Sequence, residues 1–141
     1  DRAVIPTIIA QALTKEVIHL GNLDALRDLT YVADTVSGFL KVAEVQGIEG
    51  QTFNLGTGTE VRIGDLAEQI INLVGKPVEI QLDPTRLRPE KSEVQRLLSD
   101  NSRAKEILGW QPQVSLPEGL HRTIEWVRTN LEQYRPEHYQ I

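Results

Sequence analysis

The chain predicts an α/β fold, because stretches with helical spacing alternate with short β-branched runs. Apolar residues recur at three and four over 5–15, 34–44, 63–74 and 116–131, the spacing of one buried helix face. Between and around these lie brief strand patterns at 17–20, 29–32, 52–55, 77–82 and 94–98. So few short strands, separated by unequal loops, make a poor self-contained sheet. The pattern therefore reads as the second part of a larger α/β protein.

In order, Ile5, Ile8, Ile9, Ala12 and Leu13 give the first helix, with Pro6 suited to its first turn. Val17 to Leu20 follows as a strand. Gly21, Asn22 and Asp24 are turn residues, and Leu29 to Val32 reads as the next strand. In the second helix Asp34 is a candidate cap, and Val36, Phe39, Leu40 and Ala43 are the expected buried face. Thr52 to Leu55 reads as a strand running into Gly56-Thr57-Gly58-Thr59. That run lacks the Gly-x-Gly-x-x-Gly spacing and a Walker lysine, so a plain tight turn is the default.

Ile63, Leu66, Ala67, Ile70, Ile71 and Val74 form the strongest stripe, with Asp65 favourably placed in its first turn and Gly75 and Pro77 ending it. Residues 77–82 then alternate as a strand. The stretch from Arg86 to Glu93 is charged and has no periodicity. Asp100, Asn101 and Ser102 offer caps for a short helix closed by Gly109, and Trp110 should plug the core. Ser115 and Glu118 have capping-box spacing before the last helix, whose expected buried face is Leu120, Ile124, Val127 and Leu131. A polar and aromatic tail runs from Tyr134 to Ile141.

With 141 residues the chain is read as one domain, 1–141. A net charge of −5 argues against non-specific nucleic-acid binding, which uses a basic stripe. It leaves room for a small anion held by a few local arginines. The absence of cysteine removes disulfides and thiolate chemistry and fits a reducing compartment. His19, His121 and His138 have no metal-ligand spacing, and no metal is expected. No apolar run approaches a membrane span and no signal peptide is visible. The chain has no methionine and starts at Asp1, so it reads as a piece of a longer chain.

Arg27 carries the functional question. It stands at a loop-to-strand junction, where loops on a rigid scaffold carry function. A guanidinium fork suits a phosphate or a carboxylate. The competing reading is an ion pair with Asp24 or Asp28.

Gly21-Asn22-Leu23-Asp24-x-x-Arg27-Asp28-x-x-x-Val32-x-Asp34 resembles a segment of extended short-chain dehydrogenase/reductases that act on nucleotide sugars. The same order continues in Phe53-Asn54-Leu55-Gly56-Thr57-Gly58, in Arg88-Pro89, and in Asp100-x-Ser102-x-Ala104-x-x-x-Leu108-Gly109-Trp110. The wording Arg86 to Val94, with Tyr134-x-Pro136-x-x-Tyr139, is most similar to nucleotide-sugar 4,6-dehydratases of bacterial nonulosonic-acid (legionaminic-type) pathways.

The resemblance implies the C-terminal substrate-binding part of such an enzyme plus the last elements of its Rossmann-type NAD(P)-binding fold. The first Rossmann half would be missing. It implies that Arg27 and Arg88 contact the substrate pyrophosphate. It also implies that Pro6, Thr7, Ile18, His19 and Leu20 lie near the nucleotide base. The partner would be a nucleotide sugar, the cofactor NAD in the full-length enzyme, and the assembly a cytoplasmic homodimer. The family's NAD glycine loop and its Tyr-x-x-x-Lys pair are absent from this sequence, so the chain alone is expected to be inactive and to hold no cofactor. The full enzyme would oxidise C4 of the sugar, eliminate water across C5 and C6, and return the hydride to C6. Remaining alternatives are an epimerase or decarboxylase of the same family, a non-catalytic nucleotide-binding module, and an interaction domain with surface arginines.

Overall fold

The computed structural model describes residues 3–87, 89 and 93–134. Among these residues ten helices and strands follow one another, apart from 3₁₀ turns. They are α1 (Val4–Thr14), β1 (Val17–Leu20), β2 (Leu26–Arg27), α2 (Val32–Glu44), β3 (Val61–Arg62), α3 (Ile63–Val74), β4 (Glu79–Leu82), β5 (Arg96–Leu97), α4 (Ser102–Leu108) and α5 (Leu116–Thr129). This is the anticipated α/β class. No described helix is long and apolar enough to cross a membrane.

The chain divides into two compact units. The first comprises 1–25, 62–94 and 120–141, the second 26–61 and 95–119. In the first, β1 and β4 pair in parallel, with Ile18 opposite Ile80 and Leu20 opposite Leu82. Helices α1 and α3 pack on each other. Ile8, Ile9 and Ala12 of α1 are buried, as are Ile63, Leu66, Ala67 and Ile70 of α3, so both expected stripes are core. Leu120, Ile124 and Val127 of α5 are buried as well. Leu131 lies beyond α5, in a single 3₁₀ turn over Leu131–Gln133. Gly75 ends α3 in the left-handed conformation, φ 74°, which costs glycine no Cβ clash.

In the second unit β2 lies between β3 and β5, and it pairs with β5 in parallel. Four expectations change here. The strand read at 29–32 is instead Leu26–Arg27, because Leu26 N–H bonds Gln95 O and Asp28 N–H bonds Leu97 O. Helix α2 already begins at Val32, where Asp34 N–H and Thr35 N–H reach Tyr31 O. Residues 52–55 form no strand, since the segment has no ladder to join.

The third change concerns α2. Its apolar stripe is outside, with Val32 at 65%, Val36 at 52%, Phe39 at 69% and Leu40 at 60% exposure. The face turned inward carries Asp34 and Gly38. Gly38 sits where a Cβ would lie 2.4 Å from a Leu55 methyl, so the small face fits against Leu55. Thus α2 leaves a large apolar surface open among the described residues.

Fourth, Asp34 does not cap α2. It lies inside the first turn and its carboxylate accepts Gln113 N–H and Val114 N–H, both at 3.0 Å. Trp110, 3% exposed, donates its indole N–H to Asp34 O at 3.1 Å and to Ser37 Oγ at 2.9 Å. With Ile48, Ala104 and Leu108 it forms the core of this unit, as its size led one to expect.

Candidate functional site

Arg27 is half-buried at the end of β2, and its Nη1 donates to Leu26 O at 2.8 Å. The two aspartates proposed as its surface partners are engaged elsewhere. Asp24 receives Arg62 Nη1 at 3.1 Å, and Arg62 also holds Asp65 at 2.8 Å. The Arg62 guanidinium, between two carboxylates, is shifted to bind its proton more tightly, first through Asp65. The same hydrogen bond holds Asp65 below the usual carboxylate value.

Asp28 anchors two other segments at once. Its Oδ1 accepts Thr57 N–H at 2.9 Å and the Thr57 hydroxyl at 2.5 Å. Its Oδ2 accepts Gly58 N–H at 2.9 Å and Ser99 N–H at 3.3 Å. Gly56 is buried beside this cage, where a Cβ would fall 2.2 Å from Ser99 Cβ and 2.8 Å from Asp28 Oδ2. The Gly56-Thr57-Gly58 run is thus a tight turn, as expected, but one whose N–H groups face a carboxylate and not a phosphate. Asp28, Thr30, Asn54, Gly56, Leu97 and Ser99 line an open recess of about 280 Å³. Sequence reasoning noted Asp28 only as a partner for Arg27. The signal available was an Arg-Asp pair preceding a Gly-Thr-Gly turn rich in free N–H donors.

In the other unit, the chain leaving β1 passes under the turn that follows β4. Gly21 would place a Cβ 2.6 Å from Arg86 O, so only glycine fits. Asp83 N–H bonds Leu20 O at 2.8 Å. The Asp83 carboxylate then closes the 3₁₀ turn Pro84–Arg86 by accepting Thr85 N–H, the Thr85 hydroxyl and Arg86 Nε. Those bonds, from Thr85 foremost, hold Asp83 below the usual carboxylate range. This turn delivers the chain to Leu87. Arg88 lies outside the described residues.

The residues assigned to the base are spread over α1 and β1 of this same unit. Pro6 and Thr7 are half-buried, and so is His19, whose backbone N–H donates to Gln11 Oε1 at 2.9 Å. Ile18 and Leu20 are core, at 0% and 4% exposure. Among the described residues no cluster of acidic, histidine or cysteine side chains could hold a metal.

The NAD implied by the resemblance needs free backbone N–H groups at a helix start after a strand. Strand β1 runs into a loop and β4 into a 3₁₀ turn. Helix α3 does follow β3 directly and has Gly64 in its first turn. Its leading donors are taken, however, with Ile63 N–H on Ala25 O at 3.0 Å and Gly64 N–H on Leu23 O at 2.9 Å. Neither the ends of β1 and β4 nor the start of α3 offers such free donors.

The family model described as GDP-mannose 4,6 dehydratase matches residues 2–123. A UDP-glucose 4-epimerase of Mycolicibacterium smegmatis is 42% identical over 108 residues, which is 77% of this chain and 33% of that protein. The chain thus spans about a third of the length of that curated relative. Among solved structures, epimerase Mth375 of Methanothermobacter thermautotrophicus superposes with a TM-score of 0.84 at 33% identity, covering 94% of this chain and 39% of that one. The dTDP-glucose 4,6-dehydratase of Bacillus anthracis, solved with NAD, gives 0.79 at 27% identity, covering 95% and 42%. The α/β fold is therefore that of part of a Rossmann-type extended short-chain dehydrogenase/reductase. The chain belongs to the GDP-mannose 4,6-dehydratase family, and its relatives are members of the NAD-dependent epimerase/dehydratase family.

Proposed function

We propose that the chain is the C-terminal, nucleotide-sugar-binding portion of an NAD-dependent nucleotide-sugar 4,6-dehydratase. The observation that carries this is the match over residues 2–123 to the 4,6-dehydratase family model, joined to the Arg-Asp and Arg-Pro motifs. In this reading Arg27 and Arg88 bind the substrate pyrophosphate. Each guanidinium offers paired donors to an anion that is costly to desolvate without them. Pro6, Thr7, Ile18, His19 and Leu20 border the base. NAD and the proton-transferring residues belong to the remainder of a cytoplasmic, homodimeric enzyme. The legionaminic-type wording of residues 86–94 supports a sugar destined for a nonulosonic acid.

A second reading, a nucleotide-sugar 4-epimerase, is favoured by the 42% identity to the M. smegmatis enzyme. Product analysis separates the two. The enzyme containing this chain is incubated with NAD and, in turn, UDP-, GDP- and dTDP-hexoses. A 4-keto-6-deoxy product supports the dehydratase. A C4 epimer with no loss of water replaces it with the epimerase, and no turnover of any nucleotide sugar contradicts both.

A further inference from the structure

We propose that Asp28 is a positioning residue for Arg27, fixing the guanidinium's place through a four-donor carboxylate clamp. The proposal rests on the reading of Arg27 as a pyrophosphate ligand. Strand β2 has only two residues, Leu26 and Arg27, opposite Arg96 and Leu97 of β5. A ladder this short supplies few bonds to hold one cation in one place. The Arg27 side chain folds back on its own strand, onto Leu26 O. This bond ties the guanidinium to the strand.

What fixes the strand end is the next residue. Asp28 N–H bonds Leu97 O at 2.9 Å, and Asp28 Oδ2 receives Ser99 N–H, so backbone and side chain together lock β2 to β5. The same carboxylate ties this end to the 57–58 turn through three further donors. Both oxygens are used twice. A carboxylate is the one side chain of this length that is acceptor-only on both oxygens. Gly56 permits the close approach, since a Cβ there would press on Asp28 Oδ2 and Ser99 together. The clamp touches no anion itself. It holds the residue that does, and misplacement by a fraction of the pyrophosphate's hydrogen-bond reach weakens binding.

Asp28→Asn tests this with little change of shape. Its amide N would face Gly58 N–H and Ser99 N–H, or Thr57 N–H, and so oppose one pair of donors. In the enzyme containing this chain, affinity for UDP, GDP and dTDP is titrated in wild type, Asp28→Asn, Arg27→Ala and the double variant, with thermal unfolding alongside. The proposal requires Asp28→Asn to weaken the best-binding diphosphate about 5- to 20-fold while the protein stays folded. It requires that loss to vanish in the Arg27→Ala background, as coupled neighbours do. Loss of equal size with and without Arg27, or lowered melting with unchanged affinity, makes Asp28 merely structural and overturns the proposal. If Arg27→Ala itself leaves affinity unchanged, the underlying reading of Arg27 fails, and the positioning role falls with it.

Discussion

At the scale of single residues, two carboxylates organise the second unit. Asp34 is 4% exposed and holds Gln113 N–H and Val114 N–H. Asp34→Ala leaves both donors without their acceptor, which costs about 1–3 kcal/mol per buried group. We expect a loss of roughly 2–4 kcal/mol in chemical denaturation, and an unchanged midpoint would contradict that account. Gly56→Ala introduces a Cβ into the Asp28–Ser99 contact and should destabilise by about 1–3 kcal/mol, as overpacking does. Asp83 and Asp100 are held below the usual carboxylate range because the Thr85 and Ser102 side chains hydrogen-bond them. A depressed carboxylate stabilises the fold above its unfolded value, and that contribution is lost as pH falls through the folded value. Melting temperature should therefore drop on acidification below about pH 4, less steeply in Asp83→Asn and Asp100→Asn. Equal slopes in wild type and both variants would show that these bonds do not matter.

At the scale of elements, helix α2 shows what periodicity can and cannot say. The stripe of Val36, Phe39 and Leu40 placed a helix there correctly, yet predicted the wrong inward face. The face the described chain buries is the small one, chosen by Trp110, Ser37 and Gly38 against Leu55. A stripe identifies a surface that seeks cover but not where the cover comes from. Residues 52–55 make the same point, having strand composition with no strand. By contrast the faces of α1, α3 and α5 were readable, because their partners lie in this sequence. The Asp28 clamp was not readable, since it joins residues brought together only by the β2–β5 pairing. An open apolar stripe promotes association. Purified alone, the chain should self-associate, and Phe39→Lys with Leu40→Glu should shift sedimentation toward monomer. A wild-type chain that stays monomeric at high concentration would remove this role for α2.

At the scale of the whole molecule, the chain covers about 40% of the structures it resembles, matching 39% of one and 42% of another. The sequence has neither the Gly-x-Gly-x-x-Gly spacing nor a Tyr-x-x-x-Lys pair. Incubated by itself with NAD and nucleotide sugars, this chain should give no product, and clear turnover would contradict the division of labour proposed for it. In the proposed reading its own part is to bind the anion. The proposal for Arg27 comes from its place beside a turn and a short strand, and that for Arg88 from the Arg-Pro wording alone. The most direct test is calorimetric titration of the enzyme containing this chain with UDP, GDP and dTDP, comparing wild type with Arg27→Ala and Arg88→Ala. Each substitution should cost roughly 2–5 kcal/mol of binding, the range for a desolvated charge that loses its partner. Lysine at either position should restore only part, because it keeps the charge and loses the fork. Affinity unchanged in both alanine variants would contradict the claim that these two arginines bind the pyrophosphate.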